Sequence, residues 1–253
     1  MTKERDNEAF VEAVQRWLDI PVDGWGGDRS MAAFVARTGQ DTAARPPHNS
    51  FLLPADEFSA FAPHPAPGTR EALEEAAVAF NLRGLVLAHW LGQMFVESGG
   101  FSIMTESLNY SVDGLLKTFG RHRISRADCE RLGRTKMRAA DQVAIANIIY
   151  GGAWGRKNLG NTQPEDGWEM RGSGFKQITG RANIEASGYT AQQLRTDVRK
   201  SALAAADFFV SHGCVAPASR DDVTGVTHKV NGGENGLAQR IAATAKAKKV
   251  VGL

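Results

Sequence analysis

Glu97 and Glu106 are the two side chains of this sequence whose settings suit them to moving protons. Glu97 falls in the last turn of a helix expected over Leu82–Ser98. That helix is apolar on nearly every face, through Leu85, Val86, Leu87, Trp90, Leu91, Met94, Phe95 and Val96, and a helix of this kind belongs in a core. Ser98, Gly99 and Gly100 follow as a stop signal. Desolvation and the negative end of the helix dipole both favour the protonated carboxyl, the form a general acid needs. No Lys or Arg stands close in sequence to oppose them. Glu106 lies in Thr-Glu-Ser-Leu-Asn-Tyr-Ser, rich in hydroxyl and amide donors, where a carboxylate is expected to stay ionised and act as base. Two carboxyls with contrasting surroundings are the pattern of glycosidic-bond hydrolysis. By itself a glutamate at a helix end is more often solvated or salt-bridged than catalytic, so the pair draws its weight from its neighbours.

The elements that must position these residues are mostly helices. Helical spacing is expected over Arg70–Phe80, Leu82–Ser98, Val112–Phe119, Arg126–Leu132, Ala139–Ile149, Ala191–His212, Arg220–Lys229 and Gly236–Val250, with a Gly/Asn-rich loop at 151–174. Strand signals are weak. Ahead of them, Asn7–Leu18 carries Phe10, Val11, Val14 and Leu18 at helical spacing, and a second helix is expected over Ser30–Ala36. Pro46, Pro47, Pro54, Pro63, Pro65 and Pro67 make residues 40–67 a stiff linker with one short helix near Asp56–Phe61. The division expected is 1–67 for an N-terminal module and linker, and 68–253 for the main domain.

Gly-Gln-Met-Phe-Val-Glu-Ser-Gly-Gly-Phe (92–101) and Glu-Ser-Leu-Asn-Tyr-Ser (106–111) resemble the family 19 glycoside hydrolases, the plant-type chitinases and their relatives among bacteriophage endolysins. The resemblance continues at Tyr-Gly-Gly (150–152), Asp-Gly-Trp (166–168), Arg-Gly-Ser-Gly-Phe-Lys-Gln-Ile-Thr-Gly-Arg-Ala-Asn (171–183) and Val-Asn-Gly-Gly-Glu-Asn-Gly-Leu-Ala-Gln-Arg (230–240). It implies a mainly α, lysozyme-like bilobal catalytic domain. It also implies that Glu97 is the general acid, Glu106 the general base, and Thr179 a hydroxyl that helps hold the attacking water. Tyr110, Gln177, Asn183, Asn231 and Arg240 are implied as substrate-binding residues, though the amides could equally brace loops. Family members invert, so a carboxyl separation of about 6.5–9.5 Å is expected. Three positions depart from the family pattern: Val96 for a frequent His, Ser173 for a frequent Arg, and Lys176 for a frequent apolar residue. Residues 12–34, with the Val-Asp-Gly turn at 22–24, resemble small three-helix peptidoglycan-binding modules; Trp17 and Trp25 there could be sugar platform or core.

Charge narrows the partners. Net charge is +2, with six Lys/Arg against ten Asp/Glu in 1–67 and 24 against 18 in 68–253. A basic main domain suits a polyanion, and charge alone does not choose between nucleic acid and an anionic cell wall; the family resemblance favours the wall over nucleic acid. The opening Met1–Glu8 is charged and lacks an apolar signal region, and no run approaches the ~18 apolar residues of a membrane span. The expectation is a monomer without an integral membrane segment, held in a host cytoplasm until a separate pore admits it to peptidoglycan. Chitin is the alternative substrate, and a non-catalytic wall-binding protein the alternative class. The six histidines are scattered without metal-site spacing, so neither metal nor cofactor is expected. Cys129 and Cys214 read as small buried residues, and His212 is too local to Cys214 to imply a thiol dyad.

Overall fold

The computed structural model describes residues 51–253. The expected helices Asn7–Leu18 and Ser30–Ala36, and with them Trp17 and Trp25, lie outside the described residues. Those described form a mainly helical domain: α1 (Ala55–Phe61), α2 (Thr69–Ala79), α3 (Gly84–Glu97), α4 (Val112–Thr118), α5 (Arg126–Leu132), α6 (Gln142–Ile149), α7 (Gly152–Leu159), α8 (Asp166–Glu169), α9 (Arg181–Ala186), α10 (Ala191–Thr196), α11 (Val198–Ser211), α12 (Val215–Ser219), α13 (Val223–Asn231) and α14 (Leu237–Val250). Among them there is no strand, only isolated bridges pairing Thr105 with Ser173, Ser173 with Ile178 and Ser111 with Arg134.

Several helices begin where their sequence offers an oxygen to the first unpaired N–H groups. Ser111, Ser125, Asp141, Thr190 and Asp222 each accept a backbone N–H three residues on. The single helix expected over Ala191–His212 is two, because Asp197 closes α10 with its own N–H and opens α11 by accepting the Lys200 N–H at 3.1 Å. The expected loop at 151–174 contains α7 and α8, and α9 and α12 had no signal long enough to read as helices.

Burial divides the domain in two. The larger lobe packs around α3, with Leu87, Trp90, Leu91 and Met94 fully buried and α11, α12, α13 and α14 packed against the helix. The smaller lobe gathers Leu108, Leu115, Ile124, Cys129, Leu132, Ile145, Ala146 and Ile149 from α4, α5 and α6 and the segments between them. A third, minor cluster of Ile178, Ile184, Ala191, Leu194 and Ala204 braces α9 and α10. Both cysteines are free and buried, and burial pushes the Cys214 thiol up to about 11.

The described end of the expected linker is not a spacer. Phe51, Leu53, Phe58 and Phe61 are buried in the larger lobe, where the Phe61 and Phe95 rings lie 4.7 Å apart. The Leu53 N–H donates to Glu74 at 2.8 Å. Pro54 sits at the start of α1 and Pro63, Pro65 and Pro67 follow its end, so these prolines punctuate a packed helix rather than detach it.

The tightest constraint in the larger lobe is the crossing of α3 with α14. A Cβ at Gly92 would lie 2.5 Å from Thr244 Oγ1 and 2.7 Å from Thr244 Cα and N. Because two of those atoms are backbone, no side-chain rotation relieves the clash. Around this contact the facing residues recur every four positions: His89, Gln93 and Glu97 on α3, Arg240, Thr244 and Lys248 on α14. Glu97 meets Arg240 at one end, and at the other His89 Nε2 and Lys248 Nζ share Asp221 at 2.8 and 2.6 Å. The helices are therefore antiparallel.

His89 is fully buried, and its Nδ1 has no partner. Burial holds its pKa below the ordinary value of 6.5, despite the pull of Asp221 in the other direction. The neutral ring, with Nε2–H donated to Asp221, leaves Nδ1 as a bare acceptor; a second proton would bury an unpaired N–H.

Two outcomes are expected. Gly92→Ala should lower the unfolding free energy by about 1–3 kcal/mol, as overpacking does, measured by urea denaturation. Because the unfolded chain binds the His89 proton more readily than the folded one, stability should fall as pH drops through about 6.5. Removing His89 (His89→Asn) should flatten that slope, and an unchanged slope between about pH 7.5 and pH 5.5 would refute the assignment.

Candidate active site

Two stretches of chain build the site between the lobes. The first is the end of α3, where left-handed backbone at Gly99 (φ 55°), Gly100 (φ 75°) and Phe101 (φ 63°) turns the chain away directly after Glu97. The second is a tight turn over 172–178. Ser173 and Ile178 exchange backbone hydrogen bonds at 3.1 and 2.9 Å, with Gln177 held in the left-handed region (φ 54°). The turn pairs with the segment after α3: the Glu106 N–H donates to Gly172 O at 2.9 Å, and the Gly174 N–H to Met104 O at 2.8 Å.

Glu106 is half-buried, and two neutral donors hold its carboxylate. Tyr150 Oη donates to Oε1 at 2.7 Å and the Gly172 N–H to Oε2 at 2.9 Å. The approach to Gly172 requires a residue without a Cβ, which would lie 3.0 Å from Glu106 Cβ and 2.7 Å from Gln177 Oε1. Burial and then the nearby Glu106 charge push the Tyr150 hydroxyl far above its ordinary value, so Tyr150 remains a donor. Tyr110 is raised by the same two causes in the same order, and its ring packs edge-on to Phe119 at 5.4 Å.

Glu97 has different company. Arg240 Nη2 donates to its Oε1 at 2.6 Å and Lys176 Nζ stands 3.6 Å from its Oε2, with the Glu97 side chain only 13% exposed. The expectation that no cation opposes the dry helix end is therefore corrected. Both partners are remote in sequence. The buried Gln93 aims Arg240: its Oε1 accepts from Arg240 Nη1 at 2.7 Å and its Nε2 donates to Thr227 Oγ1 at 3.1 Å. Lys176 in turn lies over the Phe208 ring, 4.5 Å from its centroid.

The remaining expected residues fall into two groups. On the Glu97 side, Asn231 ends α13, and its Nδ2 and Arg240 Nε both donate to Asn235 O at 3.2 Å. On the Glu106 side, Gln177 Nε2 donates to Gly174 O at 2.8 Å, Thr179 Oγ1 to Gln177 O at 3.1 Å, and Asn183 Nδ2 to Thr179 O at 2.8 Å. The turn joins the groups, with Gly172 on Glu106 and Lys176 on Glu97. The position of Ser173, where the family often has Arg, receives a guanidinium from elsewhere: Arg195 Nε donates to Ser173 Oγ at 2.9 Å. Val96 packs toward the start of α14 at Gly236.

Sequence reasoning missed Gln93, Tyr150 and the pairing of Lys176. Gln93 had a signal, since it stands one helical turn before Glu97 on the same face. Tyr150 opens a recognised block, but its partner lies 44 residues away. The thiol dyad is absent: Cys214 is buried, whereas His212 is exposed and stacked on Phe208 at 3.7 Å.

A helical domain thus brings two carboxyls to one turn from two sides. No protein-family model matches the chain. Over 190 residues it is 31% identical to a glycosyl hydrolase family 19 domain-containing protein of Haemophilus influenzae, an alignment covering 72% of this chain and 89% of that protein. The chain belongs to glycosyl hydrolase family 19 and is a glycoside hydrolase.

Tyr150→Phe removes one charged hydrogen bond from Glu106, of about 1.5–3 kcal/mol, and should lower kcat about tenfold to a hundredfold while leaving KM near the parent value. Steady-state kinetics check it; a kcat within twofold of the parent would show that Tyr150 does not support Glu106 during turnover.

Proposed function

We propose that this chain is an endolysin that hydrolyses the β-1,4 bond between N-acetylmuramic acid and N-acetylglucosamine in peptidoglycan, with inversion at the anomeric carbon. The observation that carries the reading is the contrast between the two carboxyls. Glu106, held by neutral donors, takes a proton from water as its oxygen bonds to C1. Glu97 gives its proton to the departing glycosidic oxygen on the other face of the sugar as the C1–O bond breaks. Arg240 and Lys176 stand beside the Glu97 carboxylate that remains once the proton has gone. Inversion needs the two carboxyls about 6.5–9.5 Å apart, with Thr179 helping to hold the water between them.

Tyr110, Gln177, Asn183 and Asn231 border this region with amide and hydroxyl groups, the types that read acetamido and ring hydroxyls. Peptidoglycan is preferred to chitin because residues 12–34 resemble a wall-binding module and the 106–111 block resembles phage enzymes. In this reading the module occupies the N-terminal region, the catalytic domain begins by Phe51 rather than at 68, and the monomer waits in the host cytoplasm for a separate pore before lysing the cell.

Purified sacculi treated with the protein should release fragments ending in reducing N-acetylmuramic acid by mass analysis, with the α-anomer appearing first by NMR. Glu97→Gln should lower the rate by about 10²–10⁴-fold, the usual share of a general acid. Hydrolysis of chitin alone would sink the substrate choice, and equal lysis by Glu97→Gln and the parent would sink the mechanism.

A further inference from the structure

The chain's excess positive charge is confined to one lobe. Of the 24 Lys/Arg and 18 Asp/Glu in 68–253, residues 111–160 hold ten and four, which leaves 14 of each elsewhere. Residues 111–160 form α4 to α7, including most of the smaller lobe around Leu115, Ile124, Leu132 and Ile145. Some of their cations are already engaged: Arg126 faces Glu130 at 3.6 Å and Arg131 faces Asp128 at 2.6 Å. Lys117, Lys136, Arg156 and Lys157 are exposed and pair with no acid among the described residues. The same stretch contains Tyr150, the residue that holds Glu106. One side of the site thus belongs to a strongly basic lobe and the other to a lobe with no excess of positive charge, to which Asp56 and Glu57 add two further acids.

We infer that the smaller lobe is a docking surface for acidic peptide, namely the carboxylate-bearing peptide stems that decorate the glycan; this rests on the peptidoglycan reading above. A glycan strand held at Glu106 meets this lobe through Tyr150, and the carboxylates of its stems are the charge complement of the exposed Lys117, Lys136, Arg156 and Lys157. Unpaired surface cations attract such a polyanion over roughly the Debye length, about 10 Å at 0.1 M salt. An anionic bilayer is the less favoured partner. Surface-lying proteins insert a band of apolar side chains, and the exposed large apolar residues of this lobe are Met137 and Val143 alone among the described residues.

The test compares two full-length variants that each lose four positive charges in a Glu97→Gln background. One neutralises the smaller lobe (Lys117→Gln, Lys136→Gln, Arg156→Gln, Lys157→Gln). The other neutralises exposed cations of the larger lobe (Arg220→Gln, Lys229→Gln, Lys246→Gln, Lys249→Gln). Circular dichroism and unfolding temperature establish that both fold as the parent does. Binding is read by co-sedimentation with purified sacculi from about 25 to about 300 mM NaCl, a range over which screening becomes severe. The smaller-lobe variant should bind about tenfold more weakly at low salt and lose most of its salt dependence, while the larger-lobe variant follows the parent. Amidating the stem carboxylates of the sacculi should weaken the parent to the level of the smaller-lobe variant.

Equal loss in both variants, or no loss in the smaller-lobe variant, would overturn the inference. So would unchanged binding to amidated sacculi together with lobe-dependent binding to phosphatidylglycerol vesicles. Fragment analysis with the active enzyme reads the bond separately. Muramidase products alongside unchanged binding in the smaller-lobe variant would remove this inference and leave the reaction standing. Lobe-dependent binding without such products would do the reverse.

Discussion

Where Thr244 meets Gly92, α3 and α14 approach so closely that the Gly92 side has room for a hydrogen and nothing larger. Everything polar along the crossing follows from that distance. Arg240 reaches Glu97 and Gln93 together, and Lys248 and His89 come to opposite oxygens of Asp221. A buried ion pair adds little net stability once its desolvation is counted, and breaking one by removing a partner costs about 3–5 kcal/mol. The Glu97–Arg240 pair therefore serves geometry better than stability. The hydrophobic lobe around Trp90, Leu91 and Met94 holds the helices, and the pair fixes where the carboxyl points.

The turn at 172–178 does for Glu106 what α14 does for Glu97. It needs a left-handed residue that is not glycine, Gln177, and a position without a Cβ, Gly172. Conformations of this kind persist where surrounding contacts over-determine them. Here those contacts are the short pairing with 104–106 and the Arg195 guanidinium on Ser173. The turn also touches both carboxyls, with Gly172 on Glu106 and Lys176 on Glu97.

Much of the helical pattern was legible in the residues. Arg126–Leu132 has the bounds expected, and the other long helices differ by one to three residues except where Asp197 divides α10 from α11. That division was written in the sequence as a capping aspartate but was masked by apolar spacing that continues across it. The opposite error arose at 51–67, where four prolines outweighed the buried Phe51, Leu53, Phe58 and Phe61. Proline reports on local backbone, whereas burial of Phe58 and Phe61 depends on Phe95 and Phe101, which are distant in the chain.

The sequence alone determined that Glu97 ends a core helix, that Glu106 sits among donors, and that the motifs around them belong together. Those are local properties, set by apolar spacing, glycine stops and the polarity of adjacent residues. Tertiary structure alone decided what each carboxyl touches. Arg240 lies 143 residues from Glu97 in the chain and Gly172 lies 66 from Glu106, and no local pattern encodes such pairings. The expectation that Glu97 lacked a cationic neighbour failed for that reason. Electrostatics acts through space, and space is assigned only when helices distant in sequence pack together.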